Sequence, residues 1–128
     1  MPGDLLICEG GEPGRCAIWS DPSQEIYFQK ALHRARPYSG VAGEYLQICL
    51  TIDAKTERLN RYFTGAIIRH FPGDKLSKYV VPLPPNSEQQ RIVAKIDQLM
   101  SLCNHLDQQI DAAMSKQADL LNALMAHV

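Results

Sequence analysis

The chain has 128 residues, 45% of them hydrophobic, and its 13 Lys+Arg against 14 Asp+Glu give a formal net charge of −1. That length holds one small domain with a core of its own rather than two, and the charge lacks the basic excess that marks a chain binding nucleic acid over its whole surface. No apolar run approaches the roughly 20 residues that cross a bilayer, and MPGDLLICEGGEPG has neither the basic start nor the cleavage site of a signal peptide, so a cytoplasmic protein with no membrane partner is expected.

DLLIC (4–8) and RCAIW (15–19) are short apolar runs on either side of EGGEPG, whose glycines and proline favour a turn, which predicts a β-hairpin or a bulged strand pair. IYFQKALHRARP (26–37) alternates in part, as a third strand would, with Ala31, His33 and Ala35 on one face and Lys30, Leu32, Arg34 and Arg36 on the other. In GEYLQICLTI (43–52) the spacing of Tyr45, Leu46, Cys49, Leu50 and Ile52 suits a short buried helix, although Thr51 and Ile52 would also fit a strand. KTERLNRYF (55–63) extends it as a second short helix that Gly65 ends. AIIRHF (66–71) and KYVVPLP (78–84) are two further strand candidates.

The last segment carries the strongest pattern. Pro84 and Pro85 exclude helix before them, Asn86 is a good N-cap, Gln89 stands three residues on as in a capping box, and Glu88 lies in the first turn where the helix dipole favours an acid. The helix is expected from about Ser87. From there Ile92, Ile96, Leu99, Cys103, Leu106, Ile110, Ala113, Gln117, Leu120, Leu124 and His127 step by alternating four and three residues, a coiled-coil seam without an interrupting glycine or proline. Val93, Met100, Asp107, Met114, Leu121 and Val128 border it and widen the apolar stripe. About 40 residues at ~1.5 Å each make a rod of roughly 60 Å, against 25 to 30 Å for a globule built from the first 85 residues. The rest of the chain offers no helix of that length, so the expected cover is another chain, most simply a second copy packed antiparallel about a two-fold axis, with Gln117 helping to fix register.

Few residues suggest chemistry. Cys8, Cys16, Cys49 and Cys103 occur singly, without a C-x-x-C pair or a histidine at ligand spacing, so reduced, buried thiols and no metal or other cofactor are expected. GGEPGR (10–15) lacks both the G-K-[ST] of a P-loop and the spacing of a dinucleotide fold, and reads as a turn. An enzyme using Cys8 or Cys16 near Glu9 has only proximity behind it. His33 and His105 read as structural groups, and Pro82 and Pro85 as a stiff connector. Divided at Pro85, the first part holds ten Lys+Arg against nine Asp+Glu and the rest three against five, so anion contacts belong to the first part. Lys30, Arg34 and Arg36 on one strand face could neutralise phosphates or reach base edges, as could Arg69, His70, Lys75 and Lys78 around the FPGD turn; a solvated surface is the plain alternative for both groups.

PLPPNSEQQRIVAKIDQLMSLCNHLDQQI (82–110) resembles the conserved helical region of the specificity subunits of type I restriction-modification enzymes. GDLLICEGGEPGRCAIW and FTGAIIRHFPGDKLSKYVVPLPP upstream resemble the closing half of a target-recognition domain of that family. The resemblance implies an α+β fold, with a partial target-recognition domain over 1–85 and a long dimerisation and spacer helix over 86–128. It also implies double-stranded DNA as a ligand, with Arg15 after the glycine turn as a further contact, and a non-catalytic role among methyltransferase and endonuclease subunits. Pairing would be with a second copy or with another specificity subunit. The chain departs from the family pattern in having one domain and one helix, like half a subunit, and a first part shorter than a full recognition domain. The alternative expectation is therefore a truncated fragment that pairs through its helix without reading DNA.

Overall fold

LLIC forms the central strand of a small sheet because its residues alternate between two environments. In the computed structural model, which describes residues 1–25, 27, 29 and 31–128, β1 (Leu5–Cys8) pairs antiparallel with β2 (Cys16–Ile18) on one side and β3 (Leu32–Ala35) on the other. Leu5 and Ile7 point inward and are 1% exposed. Leu50 of helix α1 (Gly43–Lys55), Leu59 of a 3-10 helix (Arg58–Tyr62) and Phe71 complete the buried cluster. Burying each such side chain contributes roughly 1.5 to 3 kcal/mol. A short helix α2 (Gly73–Leu76) and a long one, α3 (Asn86–Ala126), follow. The fold is α+β, as expected, and it divides into two compact units, Met1–Val93 and Ala94–Val128. No helix among the described residues is long and apolar enough to cross a membrane.

The hairpin turn depends on Gly14. Its φ of +88° suits glycine, and a Cβ there would sit 2.6 Å from Leu59 Cδ1 in the core.

Several expectations are corrected. Of the third strand, Leu32–Ala35 forms among the described residues; Ile26, Phe28 and Lys30 lie outside them. α1 continues to Lys55, and Glu57 in the left-handed region (φ 62°) separates it from the 3-10 helix, where one α-helix over 55–63 was expected. Neither 66–71 nor 78–84 is a strand. Gly65, at φ +94°, turns the chain so that Thr64 and His70 bond to each other and close a loop, leaving Ile67 and Ile68 in water rather than beside a partner strand. In 78–84 the prolines remove ladder donors. Ile52 is 48% exposed because it lies off the stripe of Tyr45, Leu46, Cys49 and Leu50. All four cysteines are free thiols, but Cys8, Cys16 and Cys49 are only partly buried and Cys103 is exposed.

The start of α3 differs instructively. Pro85, not Asn86, caps it: the Pro85 carbonyl accepts the N–H groups of Glu88 and Gln89 at 2.9 and 3.1 Å. Gln89 is 1% exposed and makes no capping box. Its Oε1 accepts from the Ala42 N–H at 2.9 Å, while Nε2 donates to the carbonyls of Gly40 at 3.0 Å and Pro84 at 2.8 Å. Every polar atom of the amide is satisfied, and the first turn of α3 is tied to the residues that lead into α1. Tyr45 Oη, donating to the Pro82 carbonyl at 2.7 Å, and Tyr79 Oη, donating to Asp53 Oδ2 at 2.6 Å, fasten the connector between α2 and α3 onto α1.

Gln89→Leu should therefore leave three backbone groups without partners and destabilise the fold by about 2 to 4 kcal/mol. Gln89→Glu should be comparably harmful, because it turns two donors into acceptors facing carbonyls. Urea unfolding followed by the fluorescence of the single tryptophan, Trp19, measures both; wild-type midpoints in the two variants would refute this account.

Candidate functional site

Strand register gathers the arginines predicted for β3 with one from the hairpin. Arg34 stands opposite Leu6, which in turn faces Ala17, so these three share the sheet face turned away from the core. The Cys8 N–H donates to the Arg15 carbonyl at 2.8 Å, which brings Arg15 onto the same face, and Arg36 continues it beyond the end of β3. Arg15 and Arg34 are exposed. The inward face of β3 carries His33 and Ala35, so the alternation read from the sequence holds over the described strand. A cavity of about 500 Å³ opens on the outer face, with Leu6, Trp19, Tyr27 and Arg34 in its wall together with the carboxylates of Asp4, Asp21 and Glu25.

The three arginines are not equivalent. Asp4 is 2% exposed and needs a partner, and Arg36 supplies a fork: Nε to Oδ1 at 2.7 Å and an η nitrogen to Oδ2 at 2.8 Å. This guanidinium, helped by the Met1 ammonium at 2.8 Å, holds the Asp4 carboxyl well below the usual carboxylate range, and Asp4 in turn raises Arg36. Arg15 makes a looser, exposed contact with Glu12 at 3.3 Å. Arg34 forms no ion pair among the described residues.

The second basic group lies where the glycine turn meets the loop after Phe63. The Phe71 N–H donates to the Glu9 carbonyl at 2.7 Å, and a side chain at Gly10 would touch the His70 ring. Arg69, His70 and Lys78 are exposed and Lys75 half-buried. No hydrogen bond or ion pair joins this group to Arg15, Arg34 or Arg36 among the described residues. His33 is structural, as expected: its Nε2 donates to the Phe71 carbonyl at 2.6 Å and stands 4.0 Å from Glu9 Oε2. Burial pushes the Cys16 thiol up, away from the thiolate a nucleophile needs.

Along α3, Ile92 and Ile96 are half-buried. The second unit is a single helix, so nothing within it covers Leu99, Leu106, Ile110, Leu120 and Leu124, which are 48% to 63% exposed. Cys103, Ala113 and Gln117 on the same seam are exposed too. Sequence reasoning missed Asp4 and the long-range role of Gln89. The signal for Asp4 was its place just before β1, opposite the residue that follows β3.

The family model for the type I restriction modification DNA specificity domain matches residues 3–115. The chain is similar to the type I restriction enzyme EcoEI specificity subunit of Escherichia coli, 31% identical over 97 residues that cover 74% of this chain and 16% of that protein. It is similar to the EcoAI specificity subunit of Escherichia coli, at 30% over 96 residues, covering 73% and 16% respectively. To the EcoKI specificity subunit of Escherichia coli strain K12 it is 26% identical over 104 residues, covering 80% and 22%. The chain thus spans between 16% and 22% of the length of these curated relatives.

Because the folded-state pKa of Asp4 is depressed, the stability it contributes is complete above the unfolded carboxylate value of about 4 and is lost as pH falls toward the folded value. Asp4→Asn should be less stable than wild type at pH 7 and should lose less stability between pH 7 and the acid limit. Parallel slopes of urea midpoint against pH in the two proteins would contradict this.

Proposed function

Since the chain belongs to the type I restriction-modification DNA specificity domain family, we propose that it is a specificity half-subunit that binds double-stranded DNA through its first unit and assembles through α3. The observation carrying the DNA reading is the outer sheet face, where Arg34 stands exposed and without an ion pair among the described residues, beside exposed Arg15. Arginine presents five donors in a planar fork, suited to phosphate oxygens and to the two acceptors on a guanine edge. Arg36 contributes by holding the strand end against Asp4. Arg69, His70, Lys75 and Lys78 extend the cationic surface, and most of the affinity is electrostatic. Lys30 remains a proposed contact. The catalytic work belongs to methyltransferase and endonuclease subunits that dock on the helices, and the setting is the cytoplasm, where the DNA is.

The uncovered seam supports an antiparallel homodimer or pairing with another specificity subunit. Leaving Leu99, Leu106, Ile110, Leu120 and Leu124 in water forgoes roughly 1.5 to 3 kcal/mol for each. It also supports a second reading, a helix-paired fragment that does not read DNA, because Arg36 is held by Asp4 and Arg15 by Glu12.

Arg34→Ala should weaken binding to a random-sequence duplex and make the dependence of log K on log salt shallower by about 0.9 for the one phosphate contact removed. Fluorescence anisotropy with the methyltransferase subunit present measures both. No DNA binding at low salt by wild type or variant, alongside intact helix pairing, would favour the second reading. Ile110→Asp, which sets two like charges into a paired seam, should turn a dimer into a monomer in sedimentation at micromolar concentration. A wild-type monomer under those conditions would refute pairing with a second copy.

A further inference from the structure

Ile67 and Ile68 expose 96% and 68% of their surface, although the loop that carries them is well anchored. Paired backbone bonds of 2.9 Å between Thr64 and His70 close it. Just outside the closure Phe63 and Phe71 meet edge to face at 5.5 Å, and Phe71 is fully buried. Inside it, Gly65 takes φ +94°, and a Cβ there would run into the Ile68 carbonyl. The backbone is thus held in one tight path that carries two β-branched side chains out into water. Isolated surface leucines or isoleucines are ordinary, but a fixed, adjacent pair at the tip of a closed loop is a shape made for insertion.

The flanks indicate into what. Arg69 and His70 follow the pair directly, and Lys75 and Lys78 stand on and just after α2, while Asp74 is the sole carboxylate between 64 and 78. Positive charge directly after an apolar tip complements a duplex, whose phosphates border a groove floored by stacked apolar bases; isoleucine is among the side chains that wedge between base steps. Resting on the DNA reading above, we propose that Ile67 and Ile68 form a wedge that enters a groove and loosens one base step, while Arg69 and Lys75 hold the phosphates on either side. The wedge acts by shape and deformability rather than by hydrogen bonds to base edges, so it would favour easily opened steps wherever the loop falls within the bound site.

The test compares two short duplexes of one random sequence, one fully paired and one with two adjacent mismatches that are already unstacked. The wild-type chain should bind the mismatched duplex about tenfold more tightly, since the unstacking cost has been removed beforehand. Ile67→Ser/Ile68→Ser should lose that preference while keeping most of its affinity for the paired duplex, and Arg69→Ala should weaken binding to both with the preference intact. Equal wild-type affinity for the two duplexes, or a preference that survives the serine pair, would overturn the wedge and leave DNA binding standing. Wild-type binding to neither duplex would instead refute the DNA reading and the wedge with it. If the serine pair abolishes capture of the methyltransferase subunit and leaves the preference unchanged, the tip belongs to a protein interface and the proposal is wrong.

Discussion

One buried amide ties the first turn of α3 into the first unit. Gln89 satisfies a donor at Ala42 and two acceptors at Gly40 and Pro84, all backbone groups that would otherwise lack partners beside the first turn of α3. An amide is suited to this place because it offers acceptor and donors together without a charge to desolvate. Around it, the Pro85 carbonyl serves the first helical N–H groups, and Tyr45 and Tyr79 bind the connector to α1. Burial and the Asp53 carboxylate push the Tyr79 hydroxyl above its usual range, which favours the protonated form that donates. A stiff proline run would set the direction of a chain but not its attachment. The amide and the two phenols supply the attachment.

The electrostatics follow a similar division between structural and available charge. A chain of net charge −1 carries its cations in local surfaces, and among the described residues Arg15, Arg36 and Arg91 already have carboxylate partners. The Asp4 and Arg36 pair closes the end of the sheet: a nearly buried carboxylate would be intolerable there without the guanidinium, so the pair fixes where β1 and β3 end relative to each other. Arg34, two residues earlier on the same strand, is free of that duty among the described residues. Period-two alternation therefore does more than divide the core face from the solvent face; it also distributes one structural and one available guanidinium along the same outer face.

Patterns with a local cause were legible in the sequence. The hairpin follows from two apolar runs around glycines, α1 from the 45, 46, 49, 50 spacing, and α3 from an uninterrupted heptad seam. The outer-face placement of Arg34 and Arg36 came from alternation alone. What escaped depended on partners distant in sequence. Ile67 and Ile68 carry strand propensity, but a strand needs a neighbour, and Gly65 directs this segment into a closed loop instead. Gln89 fitted a capping box by spacing, yet its amide bonds to residues 40 and 42, a choice no local pattern reveals. The buried Asp4 could have been inferred only after pairing β1 with β3, and the exposure of Cys103 only by treating the seam as uncovered.

The two ends of α3 draw their stability from different sources. Its root, through Val93, belongs to the first unit and is held by Gln89 and by the half-buried Ile92 and Val93. From Ala94 onward the unit is a lone helix with a broad apolar stripe, and helices in water gain most of their stability from packing that stripe rather than from intrinsic propensity. A fixed root removes the unfavourable nucleation step, so the helix can grow from an existing turn. Nucleation alone does not satisfy the stripe, however, and each heptad that propagates adds apolar surface in need of cover. Growth of the distal helix therefore starts from a turn fixed within the first unit, and its extent depends on how far the apolar stripe is packed.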